Sequence, residues 1–246
     1  MPWRVNRTPY RVFVSEIMLQ QTSVARVTPM YAGFLRAFPS FRRLAAASVQ
    51  EVIRAWKGLG YNRRALALRE SARRITSDFH GRLPRTVEEL VKLPGVGHAT
   101  ASALIVYAFN EPLVFIETNI RRVFMHLFFP DQEKVSDALI TPLVEKTLDK
   151  KNPREWYYAL MDYGAALSGD GKNPNRRSSR YRVQPPFEGS LRQLRGRILS
   201  VIIERKRASF LQIQTQLGAD PRTRLVLKRL EGEGFLRFGR SGYSFK

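Results

Sequence analysis

The chain has 246 residues, a formal net charge of +21 and a sequence pI near 11, with 43% hydrophobic and 11% aromatic residues. That charge attracts polyanions, so nucleic acid is the first partner to consider, while the apolar content excludes a disordered basic tail. No apolar run reaches the roughly 18–20 residues of a spanning helix, and the polar start MPWRVNRTPYRVF is unlike a signal peptide. Zero cysteines and three scattered histidines exclude disulfides and thiolate sites and leave little for zinc. The expected setting is the cytoplasm, close to the nucleoid, with no membrane contact.

From Pro9 to about Phe115 apolar residues recur at helical spacing, with breaks at Phe38-Pro39, Gly58-Leu59-Gly60, Gly81 to Pro84 and Gly95. This predicts a bundle of short helices over residues 1–115. Residues 116–168 continue helically through Asn119–Phe129, Ser136–Asp149 and Arg154–Leu167. Residues 169–189, with Ser168 at their head, are rich in Gly, Pro, Asn and Arg and lack periodicity; they read as a basic loop, either laid along DNA or solvated. No internal repeat appears.

Residues 190–246 change pattern. Leu191–Lys206 and Ala208–Leu217 read as helices, and Pro221–Glu231 as a third, with Asp220 as N-cap and Pro221 at the first position. Phe235–Lys246 alternates around Gly239–Gly242, which predicts a hairpin. Three helices and a hairpin resemble a winged helix. With Arg222, Arg224, Lys228 and Arg229 on the third helix, that helix is expected in the major groove and Arg240, at the hairpin tip, on phosphate. Such small domains also mediate protein contacts.

Between Leu90 and Phe109 two helices are interrupted by Leu93-Pro94-Gly95-Val96-Gly97-His98. Glycine admits backbone angles that other residues resist and lets a partner approach closely. The free N–H groups at the start of the following helix favour an anion such as phosphate. Gly95, Val96, Gly97 and His98 thus form a candidate clamp for a DNA backbone, although many helix connections use glycine for geometry alone.

The company of that turn is more specific. VSEIMLQQT at 14–22, GLGYNRRA at 58–65, LPGVGHATA at 93–101, FIETNIRRV at 115–123 and ALMDYGA at 159–165, in this order, closely resemble the helix-hairpin-helix DNA glycosylases, and within them the MutY-type adenine DNA glycosylases. The resemblance covers about residues 2–168. It implies a mainly α, two-lobed, all-helical glycosylase fold, here followed by a small α+β winged-helix domain. It implies base excision repair on double-stranded DNA bearing a mismatch or lesion, by a protein expected to be monomeric.

Excising a base requires a wedge, a pocket, an acid for the leaving purine and negative charge near the sugar. Glu16 stands mid-helix in an apolar stretch that can raise its pKa; by resemblance it protonates N7 of a flipped adenine, and the bland alternative is a helix glutamate paired with arginine. Glu117 occupies the usual aspartate position and by resemblance stabilises the cationic sugar, with its carboxylate about 1.5 Å further out. Asn119 would orient this region or cap a helix. Ala99 falls where bifunctional relatives carry a nucleophilic lysine, so strand cleavage is not expected.

Gln20 and Tyr61 match the wedge positions, with Gln21 beside the first and Arg63 and Arg64 as phosphate ligands beside the second. Gln20 would otherwise be a solvated helix residue and Tyr61 a packing residue beneath the turn. Arg121 and Arg122 read as phosphate contacts or as surface charges.

Three departures stand out. The four-cysteine iron-sulfur site of the family has no ligands here, so no cofactor is expected beyond a monovalent cation that the helix-hairpin-helix allows. The winged-helix segment stands where the family carries a domain that reads 8-oxoguanine. Most of the helix that usually precedes the Pro-Trp-Arg start is missing. Two other functions stay open: a non-catalytic sensor of distorted DNA, and a winged-helix regulator.

Overall fold

The computed structural model describes residues 1–168 and 173–246. Nine helices precede the middle of the chain: α1 (Pro2–Val5), α2 (Pro9–Leu19), α3 (Val24–Ala37), α4 (Phe41–Ala46), α5 (Val49–Ala55), α6 (Arg63–Asp78), α7 (Val87–Leu90), α8 (His98–Phe109) and α9 (Thr118–Phe128). Then come α10 (Asp137–Thr147), α11 (Pro153–Ala166), a 3-10 turn at Pro174–Arg177, α12 (Leu191–Arg205), α13 (Phe210–Leu217) and α14 (Thr223–Gly232).

Sequence signals set most boundaries. Ser40, Ser48, Thr86, Ser190 and Ser209 each accept from a backbone N–H of the following first turn, with full capping boxes at Ser48–Glu51 and Ser209–Gln212. In α2, Val12, Phe13, Val14, Ile17 and Met18 are all buried, which makes it the central helix of the first lobe. It packs against α8, so the segments VSEIMLQQT and LPGVGHATA meet through their helices.

The second lobe is built on α9 against α11. Their approach depends on Gly164: a Cβ there would meet the Asn119 carbonyl oxygen at 2.5 Å. Beside it, Asp162 takes a bidentate pair from Arg4 at 2.7 and 2.8 Å, which ties α1 to α11. Two residues of the motif ALMDYGA are therefore explained by packing.

The segment after α11, of which residues 169–172 lie outside the described ones, is mostly without regular structure apart from the 3-10 turn. Residues 173–178 pack on α9: Asn175 is buried and donates to Thr118 O at 2.9 Å, and Asn173 accepts from Arg122 Nε at 3.0 Å. Val135 and Ser178 form a parallel bridge. Side-chain amides, rather than DNA or solvent alone, organise this stretch.

The C-terminal domain has the expected helices and hairpin, Leu236–Gly239 (β2) and Gly242–Phe245 (β3), plus a short strand, Arg207–Ala208 (β1), that the sequence pattern did not show; the sheet order is β1-β3-β2, all antiparallel. The third helix begins two residues later than expected. Arg222 holds the N-cap position while Asp220 Oδ1 accepts from the Arg222 N–H at 2.9 Å, closing the turn ahead of α14.

Candidate active site and DNA-facing cleft

The turn before α8 uses its two glycines differently. Gly95 has φ +79° and a Cβ there would meet Ala67 Cβ at 2.9 Å, so both conformation and space demand glycine. Gly97 has φ −93°, which any residue adopts, and nothing lies within 4 Å of its Cβ position. Backbone strain thus explains the first glycine, while at the second the Cβ position faces open space. Gly95, Gly97 and His98 are exposed and Val96 is buried beneath them.

Glu117 is the N-cap of α9. Its Oε1 accepts from the N–H groups of Asn119 at 2.5 Å and Ile120 at 3.0 Å. Asn119 is therefore not the cap; its Oδ1 accepts from Arg122 Nη1 at 2.7 Å. Burial raises the Glu117 pKa from its ordinary value, while the helix N–H groups and Arg121 pull it down.

Glu16 lies on α2, partly accessible but surrounded by apolar groups. Burial, reinforced by the negative charge of Glu117, pushes its carboxyl up to about 8. Two acids are thus held within electrostatic reach of each other on different helices. Repulsion between them favours one neutral and one ionised carboxyl, the division of labour that acid and anion roles require.

Two tyrosines, not foreseen from the sequence, complete this recess. Tyr107 of α8 stacks on Tyr158 of α11 with ring centroids 5.0 Å apart, and Arg4 lies 4.3 Å over Tyr158. Both phenols are raised by burial and by the charge of Glu16, Tyr158 to about 12. The Tyr107 hydroxyl is buried without a protein partner. In an all-apolar helix such as α8 a tyrosine reads as core, so no sequence signal separates it.

A cavity of about 1840 Å³ runs between the helical lobes and the C-terminal domain, lined by Gln20, Gln21, Tyr61, Ala99, Glu117 and, from α12, Arg192 and Arg195, among others. Glu16 does not line it; it stands off the wall, coupled to Glu117, which does. Gln20 is anchored: its amide donates to Gly95 O at 3.1 Å and to Thr100 Oγ1 at 3.3 Å. Tyr61 has φ +46° and is half-buried, with Arg192 Nη1 3.1 Å from its hydroxyl and the Gln184 amide also in contact.

Several expected phosphate ligands are otherwise employed. Arg64 is buried, and its guanidinium donates to the carbonyls of Ile17, Met18 and Gln20 at the end of α2, to Thr22 Oγ1 at 2.8 Å, and to Leu59 and Gly60. It locks the two motifs together and cannot reach DNA. Arg122 is also buried, between Asn119, Asn173 and Gly164 O. Arg121 makes a bidentate pair with Asp137 at 2.6 and 2.9 Å. Arg63 is exposed and pairs with Glu233.

In the winged-helix domain, Arg222 is held by Asp220 and by Gly189 O at 2.8 Å, and Arg224 lies 5.1 Å over Phe210. Lys228 and Arg240 are exposed and, among the described residues, make no ion pair, while Arg229 lines the cavity. Of the third helix's expected contacts, Arg222 is thus spent on its own turn.

The family comparison matches the HhH-GPD superfamily of base excision DNA repair proteins to residues 14–146. The chain belongs to that superfamily. It is 37% identical over 180 residues to the adenine DNA glycosylase of Homo sapiens, covering 68% of this chain and 33% of that protein. To the adenine DNA glycosylase of Mycolicibacterium smegmatis it is 33% identical over 221 residues, 82% of this chain and 75% of that protein. A solved structure of a thermostable thymine-DNA glycosylase superposes with a TM-score of 0.62 at 28% identity, over 72% of this chain and 83% of that one. The chain spans less than half the length of several curated relatives that it matches.

The iron-sulfur cluster implied by the resemblance does not fit this chain, which has no cysteine. The segment after α11 holds itself to α9 through Asn173, Asn175 and the 3.4 Å contact of Arg177 with Met125 O.

Proposed function

We propose that this protein is a monofunctional DNA N-glycosylase that removes adenine from a mismatched or damaged duplex, working as a monomer near the nucleoid. The observation that carries the reading is the coupled pair Glu16 and Glu117, one carboxyl pushed up to about 8 and the other capping α9. At neutral pH Glu16 is protonated and donates to N7 of the extruded purine. The N9–C1′ bond breaks with its electron pair leaving on the base. Charge at the sugar is balanced by Glu117, and water adds its hydroxyl to C1′ and releases a proton. Ala99 offers no amine to attack the sugar, so the product is an abasic site.

The names of the relatives support adenine, as does the acid itself, since N7 protonation assists a purine leaving group. The test is excision from a panel of defined duplexes, with adenine or thymine in each mismatch, by the wild type and by Glu16→Gln. Adenine release that falls at least about 10²-fold in the variant, with DNA binding retained, is expected. Release of thymine instead, or wild-type excision by the variant, overturns the assignment.

A further inference from the structure

The contacts between the helical lobes and the winged-helix domain converge on Glu233. It sits just past the end of α14 with its side chain 16% exposed, and pairs with Arg63 from the start of α6 and with Arg195 from α12. Arg63 precedes the arginine that locks α2, so its own position is well fixed. Around it, Lys57 Nζ lies 3.5 Å from Glu204 Oε1, and Arg192 reaches both the Tyr61 hydroxyl and Pro185 O, the latter at 2.7 Å. The wedge tyrosine and its neighbouring arginine thus both contact the C-terminal region, through Arg192 and Glu233, while the Arg63 side chain stays 74% exposed.

Nine arginines or lysines and three glutamates line the cavity. In an otherwise cationic cleft, a carboxylate bridging two guanidiniums places an anion where a phosphodiester would bind: same charge, planar or tetrahedral oxygens, the same forked donors.

Resting on the reading of the protein as a DNA-binding enzyme, we propose that Arg63 and Arg195 form a binding site for a DNA backbone phosphate which Glu233 occupies while the winged-helix domain is docked. Duplex DNA and the docked domain then compete for the same two guanidiniums. The structure described here is the closed form, and DNA entry exchanges the carboxylate for a phosphate and frees Tyr61 from Arg192. Neutralising the carboxylate removes the internal competitor, so DNA binding becomes tighter.

Two experiments test this. Glu233→Gln keeps the volume and removes the charge; it is expected to bind undamaged duplex about 3- to 10-fold more tightly than wild type, with the slope of log K against log salt unchanged because the same phosphate is bound in both complexes. The gain should vanish in an Arg63→Ala background. Equal affinity of Glu233→Gln and wild type for the duplex overturns the proposal. Failure of the wild type itself to bind duplex DNA instead overturns the functional reading on which it rests.

Should Glu233→Gln fold poorly, a covalent lock gives the answer. The chain has no cysteine, so Lys57→Cys with Glu204→Cys can be joined by a short bifunctional maleimide across the neighbouring pair. Linked protein is expected to lose duplex binding at least about 10-fold relative to the same variant before linking. Linked protein that binds as tightly as the unlinked variant means the docked domain does not exclude DNA, and the competition does not exist.

Discussion

The helical lobes and the winged-helix domain carry the same kind of charge and use it differently. In the lobes two arginines turn inward, Arg64 and Arg122, which are buried and donate to helix-end carbonyls and amides across 40 or more residues of sequence. In the winged-helix domain Arg195 alone is drawn in, to Glu233, and the exposed cations either pair with nearby acids, as Arg222 does with Asp220, or, like Lys228 and Arg240, make no ion pair among the described residues. A net charge of +21 therefore locates a polyanion partner but not the face that meets it. Where arginine is structural, the proposed DNA contact rests on the backbone N–H groups at the start of α8, beside the open Cβ position of Gly97.

The sharpest break in that contrast comes at Glu117, which is both a helix cap and a proposed charge at the sugar. Glutamine at this position still offers an oxygen to the Asn119 and Ile120 N–H groups, so Glu117→Gln should shift stability by no more than about 1 kcal/mol. Its single-turnover excision rate should fall about 10²- to 10³-fold, the size of a lost electrostatic stabiliser. Glu117→Asp restores the charge with a shorter reach and should recover activity. Matched loss of Tm and rate in Glu117→Gln would make the residue a cap alone. Thermal melts and quenched-flow excision on one duplex decide between them.

Arg64 tests the structural use of charge. Arg64→Ala strips donors from the carbonyls of Ile17, Met18, Gln20, Leu59 and Gly60 together and should lower stability by about 2–4 kcal/mol. Arg222→Ala, at an exposed local pair, should change stability by less than about 0.5 kcal/mol. Chemical denaturation of both variants measures the difference. Equal losses would mean that Arg64 is a surface arginine after all.

The pH dependence of excision separates the two carboxyls. Glu16 is raised by burial and by Glu117 to about 8. Its proton is therefore present below that value and is lost as pH rises through it. Excision should be nearly constant from pH 6 to 7 and fall about tenfold per unit above 8. Folding follows the same sign: the native state holds this proton more tightly than the unfolded chain, so stability from this group is greatest at low pH and declines between about 4.5 and 8. Glu16→Gln should flatten both profiles.

Much of this was legible in the sequence, for a physical reason. The helix-hairpin-helix turn and the placement of Glu16 in an apolar helix are local patterns, and local patterns survive in one dimension. Asn119 as cap failed because the residue two positions earlier, Glu117, takes the N–H groups first. Arg63 and Arg64 read alike, yet α6 turns one outward and one into the end of α2. The pairing of Arg63 with Glu233 spans 170 residues, and nothing at either end announces it. The amide packing of Asn173 and Asn175, at a place where relatives are expected to use cysteines, was likewise hidden in a segment with no periodicity.

The smallest effect refines the surface half of the contrast. Each exposed cation of the winged-helix domain that meets a phosphate releases about 0.9 of a counterion. Lys228→Ala and Arg240→Ala should therefore each flatten the slope of log K against log salt by about that amount, with a modest loss of affinity at any one salt concentration. Arg222, already neutralised by Asp220 and held by Gly189 O, should leave the slope unchanged when replaced by alanine. Fluorescence anisotropy titrations of an undamaged duplex between 50 and ~200 mM salt resolve a change of one ion. Equal slopes for all three variants and the wild type would remove α14 and the wing from the DNA contact and leave the cleft-facing side of α12, with Arg192 and Arg195, as the part of this domain that meets the backbone.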